Sequence, residues 1–320
     1  MCDCPSNPPA ASTSSFVTAA SRGSSAIHVR RNGFCFPLGG LARACQSRVY
    51  GGHQFAAALR HGTTRLRTHA DIDRQIGLAG IRGTLAARAA CAHELDIDVV
   101  AFAGARYDPL DPEVRQGLRA AIALGAEWLG AVPACYAKPR DSIDALFDLA
   151  VELDVGVDVH LDEHLDPDRS LSGHFAAAVL ARGLVGKVTI ICLPTTNLYL
   201  QDRDSGDPER AGPQRRGLAP LRELVRAGVP LRFASDDVRD AFFPYGSADL
   251  LEVAQLIVVA GHVEDPSILL RGLCDGRDTM REDDEANFAL VRGTSLLDTI
   301  AERPRERIVV RSGFGTSTAR

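Results

Sequence analysis

Two short stretches hold the residue types from which hydrolytic chemistry is built. In Gly156-Val157-Asp158-Val159-His160-Leu161-Asp162-Glu163 an apolar strand (Val155, Val157, Val159, Leu161) delivers His160 at its C-terminal end and Glu163 three residues on. In Phe233-Ala234-Ser235-Asp236-Asp237 a second apolar run ends in two adjacent carboxylates. A neutral imidazole can hold a divalent ion, and an unligated carboxylate beside it can carry a proton to or from water. A lone His-x-x-Glu is common by chance and reads by itself as a buried histidine next to solvated loop acids. The second acidic strand end reverses that reading, because the C-terminal ends of parallel strands converge on one active face.

The elements that must position these residues alternate between strand and helix from Phe55 onward. A helix ends near Arg60, stopped by His61-Gly62, and the run from Thr64 to Asp71 is a strand. A helix over roughly 81–94 leads to strand Ile97–Phe102. Asp111–Leu124 has helical spacing (Val114, Leu118, Ile122) and stops at Gly125. Strand Trp128–Val132 follows, then helix Asp141–Leu153, which feeds the His160 strand. Helix His174–Arg182, an apolar segment Lys187–Leu193, helix Leu218–Ala227 and strand Val229–Phe233 complete the series. Strands separated by helices of this length are the pattern of a parallel α/β sheet. Six such strands are visible, where a closed barrel needs eight. Asn287–Val291 and Arg307–Val310, around helix Ser295–Ala301, suit a small appended β-layer.

Composition bounds the rest. The chain has 320 residues, 45% of them hydrophobic, enough for a substantial core. A formal charge of −5 argues against a nucleic-acid surface, and no run of 18 apolar residues suggests a membrane span. Residues 1–60 hold six Arg and one Asp, so the remaining chain, with 30 basic and 40 acidic residues, is acidic. Residues 1–52, rich in Ser, Ala, Pro and Gly, read as a disordered or non-native leader, with a transit peptide as the other reading. Eight cysteines without CxxC pairs read as reduced thiols of a cytoplasmic protein; Cys2-x-Cys4 lacks the second pair that a thiolate metal site needs. His93, His164, His174 and His262 carry no spacing that asks for chemistry.

Beyond the two acidic strand ends, Arg65-Leu66-Arg67-Thr68-His69-Ala70-Asp71, Leu124–Pro133, Leu193–Arg203, Arg216-Gly217-Leu218 and Phe243–Asp249 run in an order that resembles the cytosine deaminase branch of the amidohydrolase superfamily. The resemblance covers the chain from about Phe55 to the C-terminus. It implies an α/β fold: an incomplete metal-dependent-hydrolase (β/α)8 (TIM) barrel over 53–284, with a small composite β-domain remnant over 285–320. It implies a metal-dependent hydrolase acting on non-peptide C–N bonds of a small heterocyclic or amide substrate, with homo-oligomerisation left open. One divalent ion, zinc or iron, would be held by His160 and Asp236. Glu163 would shuttle protons, Asp236 would also take a proton from the attacking water, and Asp237 would contact substrate. His160 and Asp236 are then expected within bridging distance of one ion, roughly 3–4 Å between ligand atoms.

The departures from the family pattern are specific. No His-x-His occurs in the chain, so two ligands that family members draw from the first strand are missing, and two ligands alone would hold an ion loosely. His69, Asp71 or His53 could replace them locally. Where the sixth strand should end in Ser-His, Gly186–Ile190 runs straight into Ile191–Pro194. The Phe102 strand ends in Ala103-Gly104, where cytosine deaminases place Pro-Gln, so cytosine itself is not implied. Lys187–Asn197 is expected to form one extended strand, leaving the barrel short of eight. That strand would border a gap or pair directly with both the His160 and the Asp236 strands. The alternative to a working enzyme is a catalytically impaired or inactive relative.

Overall fold

Alternation along the strands decides the architecture. In Arg65–Ile72, odd-numbered Arg67, His69 and Asp71 must face one side and Leu66, Thr68 and Ala70 the other, yet nearly the whole strand is buried. A strand buried on both faces belongs in a parallel sheet covered by helices. The computed structural model describes residues 27–31, 54–72, 74, 76–164, 166–185, 187–201, 217–240, 242–282, 284–312 and 314–317, and it has this arrangement.

Strand β1 (Ile27–Arg31) comes first, and helix α1 (54–60) precedes β2 (Arg65–Ile72). Helices α2 (Ala79–Ala90), α3 (Pro112–Leu124) and α4 (Pro139–Leu153) then connect β2 in turn to β3 (Asp96–Ala103), β4 (Trp128–Ala131) and β5 (Gly156–Leu161). Next come α5 (Ser172–Ala181), β6 (Val188–Cys192), α6 (Pro194–Leu200), α7 (Leu221–Arg226), β7 (Leu231–Phe233), α8 (Leu250–Gly261) and α9 (Pro266–Leu273). The C-terminal part holds β8 (Phe288–Val291), α10 (Leu296–Glu302), β9 (Arg307–Arg311) and β10 (Phe314–Ser317). Local chemistry sets the helix ends. Asp111 accepts the Glu113 N–H at the start of α3, Pro112 opens its first turn, and Gly125 at φ 114° closes it in the left-handed region.

The main sheet is parallel, in the order β2-β3-β4-β5-β1-β6-β7; β10-β9-β8 form a separate antiparallel sheet. Among the described residues β2 and β7 are edges that do not pair, so the barrel is not closed, as the count of strands in the sequence implies. Two features depart from expectation. The segment Lys187–Asn197 is not one strand: β6 stops at Cys192, and Pro194, with its fixed φ and missing N–H, starts α6. On its far side β6 meets β7, but its other neighbour is β1, which lies between β6 and the His160 strand. Residues 27–31 therefore contribute a strand, because the exposed ladders of β5 and β6 each need a partner for their backbone groups. The remainder of 1–52, Cys2 and Cys4 included, and His53 lie outside the described residues.

Leu66, Ile97, Val99, Ala101, Leu129, Ala131, Val157, Val159 and Leu161 are buried within the main hydrophobic core, with Leu118, Ile143, Leu146 and Phe147 of the helices. The opposite face brings into register Asp71, Phe102, Gly130 and Asp158, and His69, Val100, Trp128 and Gly156. Gly130 is required there. A Cβ would lie 2.5 Å from Phe102 Cδ2, 2.7 Å from Val100 Cγ1 and 2.9 Å from the Asp158 carbonyl oxygen. This inner face carries charge, and it leads to the site.

Candidate active site

His160 lies one residue before the end of β5, and Glu163 two residues beyond that end; both are buried. The turn between them is fixed by Asp162, at φ 56°, whose carboxylate accepts the Leu171 N–H at 2.6 Å and the hydroxyls of Ser170 (2.8 Å) and Ser172. That geometry returns Glu163 onto the histidine, with Glu163 Oε1 at 3.0 Å from His160 Nδ1. Asp162 thus holds the loop, while Glu163 faces the imidazole.

Asp236 and Asp237 follow β7, which is parallel to β5 through β1 and β6, so both acidic segments lie at the same end of the sheet. Asp236 takes the left-handed conformation (φ 63°) and is fully buried. The start of α6 anchors this loop. The Thr195 hydroxyl donates to the Ser235 carbonyl at 2.6 Å, and the Asp237 N–H donates to Thr196 Oγ1 at 3.3 Å. From α1, Gln54 Nε2 donates to the Val238 carbonyl at 3.2 Å. Burial holds the Asp237 carboxyl well above the usual range; the charges of Asp236 and Asp240, a hydrogen bond with Asp240 and the charge of Glu163 push the same way. Burial also raises Asp240, against the opposing N–H groups of Phe243 and Phe242. Glu163 from one strand end and Asp237 from another therefore share one electrostatic neighbourhood. Carboxylates crowded in this way require protons or a cation to neutralise them.

Across the inner face a second group meets His160. The Arg67 guanidinium, fully buried, donates to Asp158 Oδ2 at 3.2 Å and stacks over Trp128 at 3.6 Å from the ring centroid. His69 Nε2 lies 3.4 Å from Asp158 Oδ1, and the His69 and His160 rings meet at 5.0 Å with an interplanar angle of 61°. Phe102 packs against both rings. One ligand atom each from His69, Asp158 and His160 falls within 4.8 Å of the others, so these three could hold a metal ion. Asp236 is not in that group. The donor set suits a borderline divalent ion.

The sequence pointed to His160, Glu163, Asp236 and Asp237, and to His69 as a substitute ligand, while Arg67, Asp158 and Asp240 were missed. A signal for the first two was present. Arg67 is two residues before His69 and Asp158 two before His160, so strand periodicity puts each pair on one face. His174 pairs instead with Asp144 at 3.0 Å, joining α5 to α4, and His262 closes α8 in the left-handed region. Among the described residues Cys91, Cys135, Cys192 and Cys274 are free, and no helix is long and apolar enough to cross a membrane.

No family model matches the chain. In sequence it is similar to a pterin deaminase of Rhizobium rhizogenes (strain K84 / ATCC BAA-868), 37% identical over 119 residues, covering 28% of this chain and 26% of the relative. It is also similar to the N-isopropylammelide isopropyl amidohydrolase of Pseudomonas sp. (strain ADP), 28% identical over 211 residues, covering 61% and 51%. The chain thus spans about half or less of the curated relatives it matches. Among solved structures, the 5-methylcytosine deaminase of Klebsiella pneumoniae liganded with phosphonocytosine superposes with a TM-score of 0.75, at 24% identity over 85% of this chain and 75% of that one. The N-isopropylammelide isopropylaminohydrolase of Burkholderia multivorans ATCC 17616 gives 0.68, at 24% identity over 94% and 86%. With the parallel sheet and the acidic strand ends in place, the chain shares the fold of these deaminase and amidohydrolase structures and is similar in sequence to a pterin deaminase and an N-isopropylammelide isopropyl amidohydrolase.

Proposed function

We propose that this chain is a metal-dependent hydrolase that cleaves a non-peptide C–N bond of a small nitrogen heterocycle, releasing ammonia or an amine. What supports the reading is that two parallel strand ends carry buried His160 and Glu163, 3.0 Å apart, and buried Asp236 and Asp237 to the same end of the sheet. The relatives act in the same direction: their names include a deaminase of pterin, a deaminase of 5-methylcytosine and an amidohydrolase of N-isopropylammelide.

In this reading His160 would be a ligand of one ion, zinc or iron, and Asp236 would serve as the base beside it. The bound ion would lower the pKa of a coordinated water from about 15.7 toward neutrality, giving a nucleophile near pH 7. Asp236 accepts the proton of the attacking water. Glu163, 3.0 Å from His160, moves a proton to the departing nitrogen, so that water and substrate yield a carbonyl product and a neutral amine. The Asp237 carboxyl, its pKa pushed up by burial and by its acidic neighbours, would donate a hydrogen bond to a ring nitrogen when protonated.

The test is ammonia or amine release by the purified full chain, loaded with zinc or iron, from cytosine, 5-methylcytosine, pterin and N-isopropylammelide. Turnover of at least one of these, abolished by Glu163→Gln, is expected. Absence of turnover on all four in metal-loaded, folded protein would leave the catalytically impaired relative as the better account.

A further inference from the structure

We propose that the ion of this chain sits between β2 and β5, with His69, Asp158 and His160 as its protein ligands in place of the missing His-x-His. The proposal rests on the reading above and names the ligand set. It leaves Asp236 free to act as a base.

The case begins with number. Protein zinc sites use three or four side chains, and His160 by itself supplies one. On the inner face a second and a third candidate already stand beside His160. His69, Asp158 and His160 are all buried, and their ligand atoms lie within 4.8 Å of one another. The chemistry is two imidazoles and one carboxylate, a set that suits zinc or iron(II) and leaves positions open for water.

The spacing agrees. His69 Nε2 and Asp158 Oδ1 are 3.4 Å apart, beyond the usual N–H···O range of about 2.7–3.2 Å. Two ligand atoms on one tetrahedral ion with bonds of about 2.0–2.1 Å lie about 3.3 Å from each other. The imidazole planes of His69 and His160 are inclined at 61° rather than stacked, as two ligands approaching one centre from neighbouring directions would be.

Orientation is fixed from behind. Arg67 takes Asp158 Oδ2 at 3.2 Å, so Oδ1 is the oxygen that faces the imidazoles, and Arg67 is itself held by Trp128 and by Asp98 at 3.8 Å. Such outer partners set the direction of a ligand carboxylate. Charge also favours a cation. Arg67 offsets one carboxylate, whereas Glu163, Asp236 and Asp237 crowd the same end of the sheet. The competing occupant is a proton on His69, paired with Asp158 and requiring no metal.

Chelator-stripped full chain would be titrated with Zn2+ and Co2+ and followed by bound-metal stoichiometry, and the zinc form examined by X-ray absorption. One ion per chain and two imidazoles in its shell are expected. His69→Ala should weaken binding by more than about 100-fold, since changing even an outer partner costs 10–100-fold. Asp236→Asn should weaken it by less than about tenfold. A shell with one imidazole, or binding lost with Asp236→Asn and kept with His69→Ala, would overturn the ligand set while leaving the hydrolase reading intact. A wild-type chain that binds no ion would overturn both. Two imidazoles without turnover in the ammonia assay would support the ligand set and reject the function. The absorption measurement needs no variant, so it decides the matter even where His69→Ala fails to fold.

Discussion

The two halves of the main sheet are built on different terms. From β2 to β5 each strand pairs with the next in sequence, across helices of 12, 13 and 15 residues. The inner face there is held by side-chain charge pairs: Arg65 with Asp98, Arg67 with Asp158, His69 with Asp158. From β1 to β7 the strands are short, five, five and three residues, and the strand beside β5 comes from residues 27–31. The acidic loop after β7 is held by neutral hydrogen bonds from Thr195, Thr196 and Gln54, and no cation figures among the main influences on Asp237. The first half sets its buried carboxylates against arginines and imidazoles, and the proposed ion would sit among them. The second gathers like charge from Asp236, Asp237 and Asp240. One half thus offers donors oriented by arginine, and the other offers acids suited to move protons.

Breaking the arginine-paired half should cost the most. Arg67→Met removes the guanidinium that pairs with the fully buried Asp158, and a loss of about 3–5 kcal/mol is expected in urea unfolding of the metal-free chain. A change below about 1 kcal/mol would mean that Asp158 is neutralised by something other than Arg67. In the acidic half, Thr195→Val removes the 2.6 Å bond to the Ser235 carbonyl while nearly keeping the volume. The expected loss is smaller, about 1–3 kcal/mol, and turnover should also fall because the loop carries Asp236 and Asp237. Turnover unchanged by a variant that loses this stability would show that the Thr195 bond does not position Asp236 and Asp237.

The smallest effect belongs to the junction with the β8–β10 sheet. There Arg307 pairs with Asp249 at 2.8 Å and His61 Nδ1 lies 3.6 Å from the same carboxylate. Burial lowers the His61 pKa below 6.5, more than Asp249 raises it. The folded state thus prefers the neutral ring, while the unfolded chain protonates as pH falls through 6.5. Stability should be unaffected above 6.5, decline as pH drops below it, and level off once the folded ring is also protonated. In His61→Asn that acid-side decline should shrink, by under about 1 kcal/mol, read as Tm against pH. An unchanged Tm profile would remove the ring from the account.

Much of the architecture was legible because it is written in short-range pattern. Gly125 after Val114, Leu118 and Ile122 marks the end of α3 wherever the helix packs, and the Val157–Leu161 alternation makes a strand whichever strands flank it. Pro194 was readable in principle too: its start of α6 was obscured by the apolar run before it. His160, Glu163, Asp236 and Asp237 stood out because acids and a histidine at the ends of apolar strands have few structural reasons to be there.

By itself, then, the amino-acid order determined the alternation of strands and helices, the missing His-x-His and the shortfall from eight strands. Each follows from periodicity, turn chemistry or the mere presence of a residue type. Only the tertiary structure decided that 27–31 would lie between β5 and β6, and that Arg67, His69 and Asp158 would meet His160. Those residues are separated by 91 positions at the Arg67–Asp158 contact. No local propensity encodes which distant strands become neighbours, because pairing is set by which backbone ladders remain open and which buried charges find a partner once the sheet is assembled.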